Sequence, residues 1–324
     1  MKLDTRYLGL DLKNPVIVSS SKLTGSIDKI IELEEKGAAA VVLKSIFEEQ
    51  ILLDTQNMVD NIDTSYHAEA FTHFSQSAIG HFMDEYLSLV KEAGEKVSIP
   101  VIPSINCTTD GTWIEYAKRF EKVGAKALEL NIFIQPHDLK ATSSELEETY
   151  LSIIRKMKAA ISIPFALKIS TYFTGLANVM KNFANEGAAG LVLFNRYYRA
   201  DIDIDNLKVI GGSFISHPSE MLTSLQWIAI LSGKIKADLS ATTGIHSYKD
   251  AVKLILAGAH TIQLCSTIYN NGTDQVAEIV NGIEGWMRKH KYKSIDEFRG
   301  LMSEENSASN YKRAQFIKTL VGIE

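Results

Sequence analysis

The chain has 324 residues, of which 45% are hydrophobic and 23% charged, and its formal net charge at pH 7 is -5. This composition supports a large buried core and argues against disorder. Acidic and basic residues are interspersed without a basic block, so we expect a small-molecule partner and no nucleic-acid partner.

Neither a disulfide framework nor a membrane segment is expected from the sequence. The two cysteines, Cys107 and Cys265, lie in no zinc-ligand spacing, so we also expect no metal site. The amino terminus carries acids, and no run of about 18 apolar residues occurs anywhere in the chain. We therefore predict a cytoplasmic protein without a membrane partner.

A Gly-Ala pair before a short apolar run and a polar residue occurs four times along the chain. Each glycine follows a charged, helix-forming segment, as expected where a helix ends on a residue with left-handed dihedral angles. The apolar runs are typical of parallel strands that are buried on both faces. Four similar runs lie between these copies, and the eight predicted strands are 15–19, 39–43, 100–105, 127–130, 164–169, 190–194, 237–241 and 261–265.

The spacing of these units predicts the fold. The glycines lie 87, 63 and 71 residues apart, which leaves room for two strand-helix units between neighbouring copies. Alternating strands and helices predict a parallel sheet, and eight units favour its closure into a (β/α)8 TIM barrel. We expect a single domain over residues 1–324, with long loops after the second and sixth strands at 47–79 and 196–219. The glycines that give this spacing are Gly37, Gly124, Gly187 and Gly258.

A polar side chain stands at the end of each predicted strand. The carboxyl ends of barrel strands form the site that barrel enzymes use, so we expect these side chains to line one site. A lysine that ends a buried strand needs solvent or an anion beside its ammonium, and asparagine suits a heterocycle edge with both carbonyl and N–H groups. For any single serine or threonine, the simpler explanation is that a strand leaving the core meets water. The eight residues are Ser20, Lys44, Asn106, Asn131, Lys168, Asn195, Thr243 and Ser266.

The segments after the seventh and eighth strands, ATTGIHSYKDA and CSTIYNNG, combine small hydroxyls with backbone N–H groups ahead of helix starts. Barrels bind phosphate through loops in this position. We therefore predict a phosphate site at Thr243, Gly244, Ser266 and Thr267. The pair Gly211-Gly212 could bring a backbone close to the same ligand, or it could be an ordinary turn.

Together these segments resemble the dihydroorotate dehydrogenase family, flavin mononucleotide (FMN) enzymes built on a (β/α)8 barrel. The similarity includes GLDLKNPVIVSSS, VLKS, ALELN, PFALKIS, LFN, IGGSF, TTGIHSYKDA and KYKSIDEFRG. It implies that Lys168 stands near the N1 and O2 edge of the flavin, where a cation stabilises the anionic reduced ring. The expected FMN contacts are Ser20, Lys44, Ser45, Asn106, Asn131, Lys168 and Asn195 around the ring or substrate, and Gly212, Thr243, Gly244, Ser266 and Thr267 at the phosphate.

The chain departs from the family where a proton must be removed from the substrate. The family's loop reads Asn-Leu-Ser-Cys-Pro-Asn, and its cysteine, or a serine in the membrane-associated class, takes the C5 proton of dihydroorotate. Here Ile134 occupies that position, and a shift by one residue offers only Gln135, so neither is a base at neutral pH. His137 and Asp138 could supply a base after a loop rearrangement, or the histidine could be an inert exposed residue. Cys107 is a weaker candidate. The catalytic candidates are Lys44, Asn131, Lys168 and His137.

A second departure concerns the loop that contacts orotate in the family. Its motif is Asn-Ser-Met-Gly-Leu-Pro-Asn, whereas residues 74–80 here read FSQSAIG. The segments SYHAEAFTHF and NRYYRAD could line a different pocket, with Arg196 and Arg199 pairing with a carboxylate, or they could be solvent-facing loops.

Three functional hypotheses follow. The first is an FMN-dependent oxidoreductase that converts dihydroorotate to orotate in pyrimidine biosynthesis, by hydride transfer to the flavin N5. The second is a flavin oxidoreductase of the same family that acts on another small cyclic or unsaturated substrate. The third is a barrel lyase that uses Lys168 as a Schiff-base nucleophile. The resemblance also implies a homodimer.

Overall fold

A computed structural model describes residues 1–47, 83–106, 112–134, 136–197, 200–307 and 311. Helices follow the barrel strands in alternation. The strands are β1 (Thr5–Tyr7), β2 (Leu10–Leu12), β3 (Val16–Val18), β4 (Ala40–Val42), β5 (Ile46–Phe47), β6 (Val101–Ile102), β7 (Ser104–Asn106), β8 (Leu128–Asn131), β9 (Phe165–Ile169), β10 (Gly190–Leu193), β11 (Ala200–Asp203), β12 (Lys208–Gly211), β13 (Asp238–Thr242) and β14 (Thr261–Leu264). The helices are α1 (Ile27–Glu35), α2 (83–96), α3 (Thr112–Lys122), α4 (Ser143–Ala160), α5 (Leu176–Glu186), α6 (Met221–Leu231), α7 (Tyr248–Ala257), α8 (Ser266–Asn271) and α9 (Asp274–His290), with 3-10 turns at Lys22–Thr24, Pro218–Glu220 and Ile295–Glu297.

A closed ring of parallel strands forms the centre of the molecule. Ten strand segments hydrogen-bond in the order β5-β7-β8-β9-β10-β13-β14-β3-β4-β6. The segments β4 and β5 are consecutive parts of one strand, and β6 and β7 are parts of the next, interrupted at Pro103, which has no N–H to donate. Because β4 pairs with β6 and β5 pairs with β7, both in parallel, the ring closes with eight strands. The predicted (β/α)8 barrel is confirmed.

Two apolar layers enclose the strands, one on each face. Side chains alternate along a strand, so every second residue points into the barrel and the others point towards the helices. The larger cluster, with Val41, Leu167 and Leu191, lies between strands and helices. The smaller cluster fills the barrel interior and contains the small residues Ala127 and Ala166.

The antiparallel hairpin β1–β2 covers the amino-terminal end of the barrel. Its residues Tyr7 and Leu8 are buried in the interior cluster, and the backbone N–H of Leu8 donates to Asp238 Oδ2 at 2.8 Å. A Cβ on Gly190 would lie 2.7 Å from Leu8 Cδ2, so the strand start needs glycine for this close approach. With this end covered, a ligand must enter at the carboxyl ends of the strands.

Helix ends follow the predicted pattern. Gly187 and Gly258 cap α5 and α7 with φ angles of 125° and 121°, which an L side chain rarely adopts. Each cap turns the chain directly into the next strand. Within the described residues, no helix is long and apolar enough to cross a membrane.

The long loop predicted after the sixth strand contains its own small sheet. Among the described strands, β11 and β12 pair with each other and with no other strand, in register Ile202 to Val209, and nearly all their residues are exposed. Most of the loop predicted after the second strand, residues 48–79, lies outside the described residues.

Candidate functional site

Three hydrogen bonds and one ion pair join four polar side chains inside the barrel, next to the interior apolar cluster. Lys168 Nζ donates to Ser19 Oγ at 3.0 Å, and Ser19 Oγ donates to Gln263 Oε1 at 3.0 Å. Gln263 Nε2 donates to Glu129 Oε2 at 2.8 Å, and Glu129 Oε1 lies 3.5 Å from Lys168 Nζ. Because both charged side chains are almost fully buried, their pairing limits the cost of keeping charge in the interior.

A cavity at the carboxyl ends of the strands lies directly against this group. It brings together six of the predicted residues, from strands that are far apart in sequence: Ser20, Lys168, Asn195, Thr243, Gly244 and Ser266. Its other described lining residues are Ser19, Arg196, Phe214, Ser216, Thr242, Ile245, Gln263 and Cys265.

Two further predicted residues are hydrogen-bonded to the cavity wall. Asn195 Nδ2 donates to Asn131 Oδ1 at 2.5 Å, which joins the ends of β8 and β10 across β9. Ser45 donates its backbone N–H to Ser20 Oγ at 2.9 Å, and its hydroxyl lies 2.7 Å from that of Ser104. These contacts fix the rotamers of side chains around Lys168.

The loops after β13 and β14 form a tight polar turn at one end of the cavity. Thr243 and Gly244 have φ angles of 73° and 74°, and a Cβ on Gly244 would lie 2.4 Å from the backbone nitrogen of Met221. Gly244 donates its N–H to Ser216 Oγ at 3.2 Å, and Ser216 donates its own N–H to Ser266 Oγ at 3.0 Å. The loop after β12 is thereby joined to both predicted phosphate loops.

Several predicted residues are not among the cavity's described lining. Lys44 and Asn106 are half-buried at the ends of their strand segments, and Gly212 is half-buried beyond β12. Thr267 is fully buried, with its hydroxyl donating to the His246 carbonyl at 3.4 Å. His137 is exposed on the loop after β8.

The loop after β8 presents an apolar and aromatic surface. Ile134 donates its N–H to the Tyr150 hydroxyl at 3.1 Å, and the Phe133 ring stacks on the Tyr197 ring with a centroid distance of 3.6 Å. Burial raises the pKa of both tyrosines. Residues 132–134 are isoleucine, phenylalanine and isoleucine, so none of their side chains can accept a proton.

A second cavity adjoins the first and shares three of its residues: Asn195, Arg196 and Thr243. Its wall includes Tyr172 and Tyr197. Arg196, for which pairing with a ligand carboxylate is one alternative, has Nε 2.9 Å from Glu220 Oε2 and donates from NH1 to the Ser213 carbonyl at 2.7 Å.

Some candidates named from the sequence lie outside the described residues. They are Cys107, Gln135, Arg199 and residues 65–80, which include FSQSAIG. The other cysteine, Cys265, lines the cavity, and burial raises the pKa of its thiol. It is therefore a protonated thiol at neutral pH, not a base.

Sequence reasoning missed Glu129, Gln263, Ser19 and Ser216. The first three point into the barrel, and the alternation of side chains could have found them, because Glu129 and Lys168 lie two residues beyond the inward-facing Ala127 and Ala166. An acid within the apolar run ALELN was the clearest signal. Ser216 lies in an irregular loop, and no sequence pattern marked it.

Comparisons with known proteins identify the family of the chain. The dihydroorotate dehydrogenase family model matches residues 2–287. A dihydroorotate dehydrogenase B (NAD(+)) catalytic subunit of Thermoplasma acidophilum is 27% identical over 306 residues, covering 92% of this chain and 98% of the relative. A putative dihydroorotate dehydrogenase A (fumarate) of Aeropyrum pernix is 27% identical over 226 residues, covering 67% and 72%. Since the family model spans most of the chain, the protein belongs to the dihydroorotate dehydrogenase family of oxidoreductases.

Proposed function

We propose that the protein binds FMN in the cavity above Lys168 and transfers hydride between the flavin and a small substrate, with dihydroorotate as the first substrate to test. The main support for this proposal is that buried Lys168 and the hydrogen-bonded pair Asn131 and Asn195 lie close to a turn rich in hydroxyl groups. The family's members are flavin enzymes.

The described side chains fit the chemistry of FMN. The pyrimidine edge of a flavin carries carbonyl and N–H groups, which lysine and asparagine can satisfy. At the other end of the cavity, Ser216, Thr243 and Ser266 offer hydroxyls beside the turn at Gly244, which suits a phosphate. The cofactor contacts predicted from the sequence are part of this proposal.

Each element of the site has a definite role in this mechanism. Bound FMN would supply hydride chemistry at N5. Lys168 would hold the pyrimidine edge and stabilise the negative charge that develops there. Asn131 and Asn195, already hydrogen-bonded to each other, would orient the ring edge or the substrate. The apolar residues 132–134 would exclude water from the reacting face.

The aromatic surface favours the second hypothesis, a different substrate for the same flavin. Phe133 stacks on Tyr197 and lies 6.3 Å from the Tyr172 ring, measured between ring centroids. Neither Ile134 nor the protonated Cys265 thiol can take a proton from dihydroorotate at neutral pH. The aromatic surface is therefore better suited to a substrate whose proton transfer needs no base on the loop after β8.

Cofactor extraction followed by anaerobic reduction tests the proposal. Purified protein should be yellow and release FMN on denaturation, and dihydroorotate should bleach the flavin if the first hypothesis is correct. Bleaching by another cyclic or unsaturated compound, but not by dihydroorotate, would select the second. A colourless protein that forms a borohydride-trapped adduct at Lys168 would select the lyase instead.

We further propose that two copies associate through the β11–β12 hairpin. Its register places Ala200, Ile202, Val209 and Gly211 on one face, and Ile202 and Val209 are 65% and 77% exposed. A two-stranded ribbon with one apolar face is marginal alone, so burial against a second copy would stabilise it. The cytoplasmic location and the extent of the single domain over residues 1–324 remain predictions.

A further inference from the structure

Glu129 is the most unusual group in the barrel interior. Its side chain is 2% exposed, and Oε1 has no hydrogen-bond partner among the residues that the structure describes. A buried carboxylate oxygen without a hydrogen bond is costly. The group nearest to compensate it is the Lys168 ammonium, 3.5 Å away.

Stability alone does not explain this pair. Replacing a buried ion pair by apolar residues of similar volume is often neutral or stabilising. The interior cluster two residues earlier on the same strands is apolar and includes Ile17, Ala127 and Ala166, so an apolar layer above it would also be possible. The pair occurs where the barrel meets the cavity, which suggests a role in the site.

The surrounding hydrogen bonds hold both charges in place. Gln263 holds the carboxylate through Oε2 and receives a hydrogen bond from Ser19, which in turn accepts from the ammonium. Lys168 is therefore held by both Ser19 and Glu129. Lys168 lines the cavity, whereas Glu129 is not among the cavity's described lining residues.

We propose that Glu129 is a positioning residue that fixes Lys168 at the cavity floor and offsets its charge, so that bound FMN has a lower reduction potential than a lone lysine would give it. This inference rests on the proposed FMN site. A cation beside the flavin favours the negatively charged reduced ring, and a carboxylate 3.5 Å from that cation weakens the positive potential that the ring experiences.

The test is the reduction potential of FMN bound to Glu129→Gln, a substitution that removes the charge and keeps the shape. We expect a positive shift of about 30 mV or more, which is a tenfold change in the ratio of reduced to oxidised flavin for a two-electron couple. The charge-retaining Glu129→Asp should shift it less. Glu121→Gln, the same change on the exposed end of α3, should leave it unchanged.

A purely structural role for Glu129 would give a different result. Glu129→Gln would then melt at a lower temperature and bind FMN more weakly, with the same potential as the wild type, and this outcome would overturn the inference. If Glu129→Gln does not fold, the reduction potential of FMN bound to Glu129→Asp decides instead. The shorter aspartate side chain moves the carboxylate away from Lys168, so the inference still predicts a positive shift, but a smaller one.

The inference and the proposed function fail in distinguishable ways. Wild-type protein that binds no flavin overturns both the proposed function and the redox role of Glu129. Wild-type protein that binds FMN, with no shift in the folded variants, retains the function and removes the inference.

Discussion

The Asn195 side chain donates a hydrogen bond to Asn131 Oδ1 at 2.5 Å, so the ends of β8 and β10 are connected above the strand that carries Lys168. Both residues were expected at the site from their positions at strand ends. Their direct contact was not expected. It makes the two amides a single hydrogen-bonded unit at the carboxyl ends of the strands.

Removing one member of this pair should weaken FMN binding. We expect Asn195→Ala to raise the FMN dissociation constant about tenfold, since a lost hydrogen bond and an unsatisfied partner cost about 1–2 kcal/mol. Fluorescence titration of the apoprotein measures the constant. The matched control is Asn182→Ala on α5, which removes a hydrogen bond to Asn178 on an exposed helix face. Equal affinities in both variants would exclude a role for the pair.

Gly244 should tolerate no side chain. A Cβ there would lie 2.4 Å from the Met221 nitrogen, in addition to the strain of a left-handed residue. Gly9 has the same φ of 74° but no atom within 4 Å of an added Cβ. Chemical denaturation should show a loss of about 1 kcal/mol for Gly9→Ala and a clearly larger loss for Gly244→Ala. Similar losses would mean that the contact with Met221 has no energetic effect.

Two glutamates make equivalent hydrogen bonds to the segments that lead into β6 and β9. Glu121 Oε1 accepts hydrogen bonds from the N–H and hydroxyl of Ser162 and from the N–H of Ile163. Glu34 accepts the equivalent bonds from Ser98 and Ile99. The Ser162 hydroxyl is the largest cause that lowers the pKa of Glu121. At Glu34, burial is the largest single cause and raises the pKa, but the hydrogen bonds from Ser98 and Ile99 and the charge of Lys13 together lower it below its ordinary value.

These lowered pKa values predict a pH dependence of stability. A carboxyl whose pKa is lower in the folded state adds stability above its unfolded pKa of about 4.3, and this contribution is lost as pH falls through the folded pKa. Glu121→Gln should therefore have a lower melting temperature than the wild type at pH 7. The difference in melting temperature should disappear below about pH 4. Thermal melts from pH 3 to 7 measure it, with the exposed Glu35→Gln as the control. A gap that does not change with pH would contradict the prediction.

The β11–β12 hairpin offers a test of self-association with its own internal control. Ile202→Asp places a charge on the apolar face and should convert dimers to monomers in sedimentation velocity experiments. Ile210 lies on the opposite face, paired with Asp201, so Ile210→Asp should leave the dimer intact. Monomeric wild-type protein, or dissociation by both substitutions, would disprove the assignment of this face.

The sequence predicted the barrel well because its signals are local. A buried parallel strand is a continuous apolar run in the sequence. The end of a helix is indicated by a single glycine, as at Gly187 and Gly258. Ser20, Lys168 and Asn195 were found because a polar residue at a strand end faces the same rim in every barrel.

Residues whose positions depend on three-dimensional packing were harder to predict. Glu129 belongs to the site because of strands β3, β9 and β14, which come from distant parts of the chain. Thr267 follows Ser266 directly, yet the start of α8 buries its side chain away from the cavity wall. Ser216 joins the site only because its loop folds back onto Gly244 and Ser266.

The most direct test of the central claim is the flavin content of wild-type protein compared with Lys168→Met. We predict that wild-type protein releases FMN in an amount equimolar with the chain, and that Lys168→Met is folded by circular dichroism but holds much less FMN or binds it at a lower reduction potential. Wild-type protein that neither contains nor takes up FMN, or a Lys168→Met variant with unchanged affinity and potential, would contradict the claim.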